Sequence, residues 1–488
     1  MKRVANILEE HGPMLSGDLA KQLVNKYGMN ALAARKVISR AVAPVRKLNN
    51  INFDNNQKLY FLENQFGQER FLETAFAQMK THSKAYYAFI QALLFHNGFL
   101  PVNQICAYTF SPIKPLKGHR PAKQIISDLC ATKILTEYNE EILQINPNIM
   151  GLNYQKYRAI ELAKKITSDH FSTWAKSMNL VAYGSGKQLS DSPEFLKFQW
   201  GFTAPSYICG IKNRNEGPTC FVIADILLGI DKTIKVENVD FYIKKIKILR
   251  QQKKVAPFIP ILIVDNSIER PAFDALKAEG IVLGFVDVIF GTSYSEALKS
   301  LVHIFENASA IIAKNPDNYF KLIENLSVLE GNTINLKGDL FELAVGYYYS
   351  KIAPFFEINQ IVLDNQSGKK KEIDVLVRMS NSESRIVECK GYKYPLDEEF
   401  VEKWLSENIP VIRSALLNQK HYPTQQLVFE LWSTSGFDEK ATELLIKHSN
   451  STRKYTIRYY GRDEIIQIAK ESNNANFQRI LTTYYFNK

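Results

Sequence analysis

The chain has 488 residues, 45% of them hydrophobic. At about 150 residues per domain this is enough for roughly three domains with cores of their own, which excludes a disordered or fibrous protein. Sixty-one Lys and Arg against fifty Asp and Glu leave a formal charge of +11. The longest apolar runs, 221–230 and 258–264, are far shorter than the ~20 residues that span a bilayer, so no membrane association is expected. The five cysteines, Cys106, Cys130, Cys209, Cys220 and Cys389, contain no C-x-x-C pair. That scatter argues against a zinc site or a disulfide framework. With no apolar segment following Lys2 and Arg3, a cytoplasmic protein is expected.

Residues 1–80 carry the densest positive charge. The first fifty residues hold nine Lys and Arg against Glu9, Glu10 and Asp18, a balance that suits a polyanion such as double-stranded DNA, or simply a solvated basic surface. Residues 3–11 form an amphipathic helix that stops at Gly12-Pro13, and Ser16 is expected to cap a second helix closed by Gly28. Asn30 opens a third, with Leu32, Val37 and Val42 facing inward. Arg35, Lys36, Ser39 and Arg40 lie on its other side, paired at i,i+4. Residues 51–53 and 58–62 flank Asp54-Asn55-Asn56 as a hairpin. Three helices and a hairpin resemble a winged helix. That resemblance implies that the third helix enters the major groove, with Arg35, Lys36, Ser39 and Arg40 as DNA-binding residues.

Residues 81–150 repeat the order, with helices at 85–96, 102–108 and 122–132 and strands at 134–138 and 142–145 around Asn139-Glu140-Glu141. They resemble a second winged helix, a module that also serves as a protein–protein adaptor. Between 151 and 315 the pattern becomes α/β: a helix at 154–178, strands at 198–211 and 220–228, and a helix at 239–252 carrying Lys244, Lys245, Lys247 and Arg250. Strand 258–264, helix 272–278 and strand 281–286 follow. Gly184-Ser185-Gly186-Lys187 lacks the spacing of a phosphate loop, which excludes an NTP-driven motor.

The chemistry lies in residues 316–488. The helix LKGDLFELAVGYYYS (336–350) is apolar almost all round, yet carries Glu342, with Val345 and Gly346 rather than cations at i+3 and i+4. A carboxylate there needs a neutralising partner, either a metal or a distant arginine. Strand 355–363 follows, then strand 372–379 with Asp374 inside an apolar run, then RIVECKGY (385–392). Alternation puts Glu388 and Lys390 on one face of that strand. The helix 397–419, strand 426–432, helix 438–447, strand 455–460 and helix 462–469 complete a mixed sheet flanked by helices.

A helix glutamate, a strand aspartate and Glu-x-Lys on the adjoining strand resemble the PD-(D/E)xK restriction-endonuclease-like superfamily, nearest to the Mrr-type restriction endonucleases. The resemblance covers about 330–470, with Ile373 where the motif often has proline. It implies a catalytic set of Glu342, Asp374, Glu388 and Lys390. Mg²⁺ or Mn²⁺ would be held by Asp374, Glu388 and the Cys389 carbonyl, with Glu342 completing the site, and Lys390 would position or deprotonate the attacking water. FVIADILLG (221–229) can be laid on RIVECKGYK (385–393), which puts Ala224 at Glu388 and Ile226 at Lys390. The middle domain then reads as a nuclease-like domain without its site, kept for DNA contact or pairing, with an unrelated α/β domain as the alternative.

The fold class expected is thus α/β multidomain. The function expected is a metal-dependent DNA endonuclease of a prokaryotic restriction or antiphage defence system, cutting both strands as a homodimer, with helper subunits as further partners. A DNA-binding regulator with an inactive nuclease fold, or a repair or transposition nuclease, uses the same residues.

Overall fold

A computed structural model describes the chain except residues 1, 52, 140, 207, 209–218, 253–254, 315–325, 330–333 and 487–488; for 312–313, 327–328 and 334–336 only the backbone is described. Cys209, Glu140 and part of the expected 198–211 strand lie outside the described residues. The chain is an α/β protein that divides into two compact units, residues 1–157 with 174–285, and residues 158–173 with 286–488. Among the described residues no helix is long and apolar enough to cross a membrane.

The first unit opens with α1 (Lys2–His11), β1 (Met14–Leu15), α2 (Ser16–Tyr27), α3 (Ala31–Ser39), β2 (Val45–Lys47) and β3 (Leu59–Leu62). Val4, Ile7 and Leu8 of α1 meet Leu19 and Leu23 of α2 and Ala34 and Ile38 of α3, one apolar stripe per helix. Gly28 ends α2 at φ 62°, a left-handed conformation that only glycine adopts without steric cost. Asn30 caps α3 by accepting from the Leu32 N–H at 2.8 Å.

Three local expectations change. Ser16 is the first helical residue rather than the cap, and its hydroxyl accepts from the Lys58 N–H at 3.4 Å. Leu32 and Val42 are 69% and 55% exposed: Ala34 and Ile38 set the buried stripe of α3, and Val42 lies beyond its end. β3 pairs with Val45–Lys47 instead of 51–53, lying between β1 and β2 and antiparallel to both. Arg35, Lys36, Ser39 and Arg40 are all exposed.

Next come α4 (Glu69–His82), α5 (Lys84–Phe95), β4 (Phe99–Pro101), α6 (Ala122–Ala131), β5 (Leu135–Glu137) and β6 (Ile142–Ile145). The sheet order β4-β6-β5 repeats β1-β3-β2: in each, the last strand in sequence takes the centre. After α7 (Tyr154–Ser177) come β7 (Lys187–Gln188), the hairpin β8 (Glu194–Phe195) and β9 (Phe198–Gln199), β10 (Phe202–Pro205), β11 (Phe221–Leu227), α8 (Val236–Arg250), β12 (Phe258–Val264), α9 (Arg270–Ala278) and β13 (Val282–Phe285). The sheet β7-β10-β11-β12-β13 is antiparallel over its first two pairings and parallel over its last two.

The second unit contains residues 158–173 of α7, then α10 (Val286–Phe290), α11 (Thr292–Lys314) and α12 (Ile334–Ile352). Its sheet is β14 (Phe355–Leu363), β15 (Lys370–Arg378), β16 (Glu383–Lys390), β17 (Gln426–Ser433) and β18 (Thr456–Tyr460), in that order. The pairings again run antiparallel, antiparallel, parallel, parallel. The two five-stranded sheets thus share one topology, with β11 and β16 each third. Consecutive helical segments Glu398–Lys403, Trp404–Asn408 and Ile409–Leu417 join β16 to β17. Their Val401, Trp404, Ile412 and Leu416 pack on Leu376, Ile386, Phe429 and Leu431 of the sheet.

One charge is locked inside the first unit. Lys245 of α8 is fully buried, and its ammonium donates to the Gln199 carbonyl at 2.8 Å and to the Ala107 carbonyl. It lies 3.7 Å from the buried Asp225 carboxylate of β11 and 4.7 Å from the centre of the Trp200 ring. Burial pushes its pKa down to about 8, against the pull of Asp225. Removing the cation leaves a buried carboxylate without its counter-ion and two carbonyls without this donor. Lys245→Ala is therefore expected to destabilise the chain by ~3–5 kcal/mol, measured as the loss of unfolding free energy in a denaturant titration.

Candidate active site

Three elements of the second unit collect carboxylates. α12 carries Asp339 and Glu342 one helical turn apart; β15 carries Glu372 and Asp374; and β16 carries Glu388, followed by Cys389 and Lys390. The end of β16 can approach α12 because residue 391 is glycine: a Cβ there would stand 2.6 Å from the Lys337 carbonyl oxygen and 3.0 Å from Phe341 Cβ. The β15–β16 ladder runs from Arg378↔Ser384 to Val375↔Val387. One residue beyond, the Asp374 side chain takes over from the backbone, its Oδ2 accepting from the Cys389 N–H at 2.7 Å.

Lys390 Nζ lies 2.7 Å from Glu388 Oε1, 3.1 Å from the Cys389 carbonyl oxygen and 3.4 Å from Asp374 Oδ2. Three oxygens from three residues thus converge on one ammonium. Glu342 stands apart from that set. Arg158 of α7 holds it, with Nη2 donating to Oε2 at 3.1 Å and Oε1 at 3.3 Å. The same guanidinium reaches Asp339 Oδ1 at 3.1 Å and Glu372 Oε1 at 2.5 Å. The Glu342 and Asp374 residues are each 7% exposed, whereas the side chains of Glu388, Lys390, Arg158 and Glu372 are 14%, 15%, 23% and 27% exposed. The site is sunk but reachable. Beside it Tyr392 and Tyr394 are 46% and 72% exposed, while the Tyr392 carbonyl is pinned by the Thr434 hydroxyl at 3.0 Å and by that of Ser435.

Electrostatics follow from crowding under low solvation. Desolvation raises the pKa of Glu388, which Lys390 counters and Asp374 reinforces. Desolvation likewise raises Asp339 and Glu372, against Arg158. Lys390 is desolvated too, yet Asp374 and Glu388 hold it well above its ordinary range, so it remains an ammonium.

Sequence reading did not single out Arg158, Asp339 or Glu372. Asp339 sits three residues before Glu342 and Glu372 two before Asp374, spacings that put each within reach of its neighbour. Arg158 lies 184 residues from Glu342 and carries no local signal.

Mg²⁺ or Mn²⁺ would require hard oxygen ligands around a common point, and the three oxygens about Lys390 Nζ supply such a cradle. Among the described residues no group of three or more His, Cys, Asp or Glu side chains is already arranged as a metal cage; Lys390 and Arg158 stand between the carboxylates. No family model, curated protein or solved structure matches the chain.

Burial makes Glu342 a pH-sensitive element. Desolvation holds its carboxyl well above the ordinary 4.5, against the pull of Arg158. A folded pKa above the unfolded one means that the folded state keeps the proton longer. The group's stabilising contribution is therefore full in acid below the unfolded value and declines as pH rises toward the folded one. Glu342→Gln removes this titration. It is expected to gain stability relative to the wild type as pH rises above the ordinary carboxyl value of 4.5, read from melting temperatures of both chains in chelator; parallel curves would contradict it.

Proposed function

We propose that the second unit is a metal-dependent phosphodiesterase of the PD-(D/E)xK kind acting on DNA. The observation that carries the reading is the convergence of Glu388, Asp374 and the Cys389 carbonyl on the Lys390 ammonium within 3.4 Å. Those oxygens are the groups that would hold Mg²⁺ or Mn²⁺, which supplies Lewis acidity toward a phosphodiester oxygen. Lys390, kept charged by its acidic neighbours, acts as a cation and hydrogen-bond donor toward charge developing on the phosphate rather than as a base. Glu342 belongs to the same electrostatic system through Asp374 and Lys390.

The first unit supports DNA as the substrate. Its opening module has the order of a winged helix, and Arg35, Lys36 and Ser39 of α3, with Arg40 just past its end, are exposed to solvent. The sheet around β11 has the strand order and directions of the sheet around β16, with Ala224 where the alignment puts Glu388. That supports reading the middle of the chain as a version of the same fold without the acids. One intact site cuts one strand, so two-strand cleavage calls for a homodimer or two visits. A restriction or defence role accords with this chemistry. A second reading draws on Arg158: carboxylates already neutralised by Arg158 and Lys390 are also what an inactive scaffold in a DNA-binding regulator would hold.

Plasmid incubated with the purified chain in Mg²⁺ or EDTA separates the two. Asp374→Ala and Lys390→Ala are expected to lower the cleavage rate by ~10³-fold or more with DNA affinity kept. Absence of Mg²⁺-dependent cleavage by the wild type favours the regulator. Replacing Arg35, Lys36 and Arg40 with alanine is expected to weaken DNA binding and to flatten the slope of log affinity against log salt by roughly one per charge removed. An unchanged slope moves the DNA-binding surface elsewhere.

A further inference from the structure

Among the described residues, Arg158 is the cation that pairs with the carboxylates the Lys390 cradle leaves out. Its guanidinium meets Glu372 at 2.5 Å, Asp339 at 3.1 Å and Glu342 at 3.1 and 3.3 Å, with both Nη atoms engaged. The three acids come from two elements, α12 and β15, and would repel one another without it. Lys165, two helical turns further along α7, adds to the positive field at Asp339.

We infer that Arg158 is a positioning residue that takes the place of a second divalent cation. On this inference the site holds one metal ion, in the cradle of Asp374, Glu388 and the Cys389 carbonyl. Asp339, Glu342 and Glu372 are kept in place by a built-in guanidinium. The inference rests on the proposed reading of that cradle as a metal site.

The physical reasons are charge and geometry. A guanidinium is planar, always charged and rich in donors, so it can tie carboxylates of two elements into one arrangement. A divalent ion needs near-octahedral oxygens at about 2.0–2.1 Å, and oxygens hydrogen-bonded to Arg158 are turned toward nitrogen instead. An arginine cannot be deprotonated in a protein, so the neutralisation is permanent, whereas a bound metal comes and goes with its concentration. Removing the guanidinium leaves three partly buried carboxylates around the space it filled, which is a second cation site.

Counting Mn²⁺ bound to the full chain by electron paramagnetic resonance titration tests this without reference to cleavage. The wild type is expected to bind one ion. Arg158→Ala and Arg158→Gln are expected to bind two, the additional one lost again when Glu342→Gln is combined with either. Arg158→Lys, which restores a cation, is expected to return the count to one; a residue that only supported the fold would change stability and leave the count alone. Two ions in the wild type overturn the inference, whether or not the variants fold. One ion in a folded Arg158→Ala chain, established by circular dichroism, also overturns it. No ion in the wild type sinks the metal reading of the cradle itself, a failure distinct from either.

Discussion

The second unit is organised around a shortage of positive charge. Among the described residues, five carboxylates, on Asp339, Glu342, Glu372, Asp374 and Glu388, form ion pairs with two cations, Arg158 and Lys390, and Lys165 adds to the field at Asp339. Each ion withdrawn from water costs several kcal/mol, and mutual attraction offsets this only where geometry is tight. The local structure reads as the answer to that constraint. Gly391 admits α12 to the end of β16, and the ladder gives way after Val375 so that Asp374 can bond the Cys389 amide. A guanidinium arriving from α7 spans the gap between helix and strand. Even so the acids remain in excess. A fold under selection for stability alone would do better with apolar residues in these places.

The first unit shows the contrasting outcome on the same sheet topology. There Asp225 of β11 and Lys245 of α8 are both fully buried, and the lysine is also satisfied by two backbone carbonyls. One acid faces one base, with aromatic rings around them and no exposure. Such a pair is enclosed in the packing around it. Around β16, by contrast, the side chains of Glu388 and Lys390 keep 14% and 15% exposure, and acids outnumber bases. The two ion pairs thus differ in stoichiometry and access, not in the sheet topology beneath them.

Much of this was legible in the sequence where the signal is local. The strand period placed Glu388 and Lys390 together, the apolar run 258–264 marked β12 to the residue, and Gly28 marked the end of α2. Glu342 stood out because its own helix offers it no cation. The partner that solves its problem did not, since Arg158 is brought there by tertiary structure alone. The same limit explains the strand partner of β3. The short run 51–53 looked like half a hairpin by proximity, but pairing fell to Val45–Lys47, with Ile51 and Phe53 spent on the core instead. In α3 the alternative stripe through Leu32 and Val42 failed because the helix is only nine residues long and Val42 is outside it. Helix α4 was missed because residues 69–82 mix polar and apolar positions without a strong start signal, and Gln68 precedes it without a side-chain cap.

Lys390 joins the two halves of the proposed chemistry. In the arrangement seen, its ammonium spends its donors on Glu388 and the Cys389 carbonyl and lies within reach of Asp374, so the lysine quiets the acids that surround it. On the proposed function those same oxygens have a stronger claimant, and two cations cannot share one cradle. With Asp374, Glu388 and the Cys389 carbonyl holding a metal ion, Lys390 would give up those oxygens, and the Phe400 ring, its centre 5.8 Å from Nζ, would remain as a cation–π partner. The side chain is short of alternatives on the protein side, because its acidic neighbours are the ones being taken. On the proposed function its ammonium would then be available to incoming negative charge, which a phosphodiester would bring. Loading the site and arming the lysine would be one event, and the surplus of carboxylates is what makes that exchange favourable.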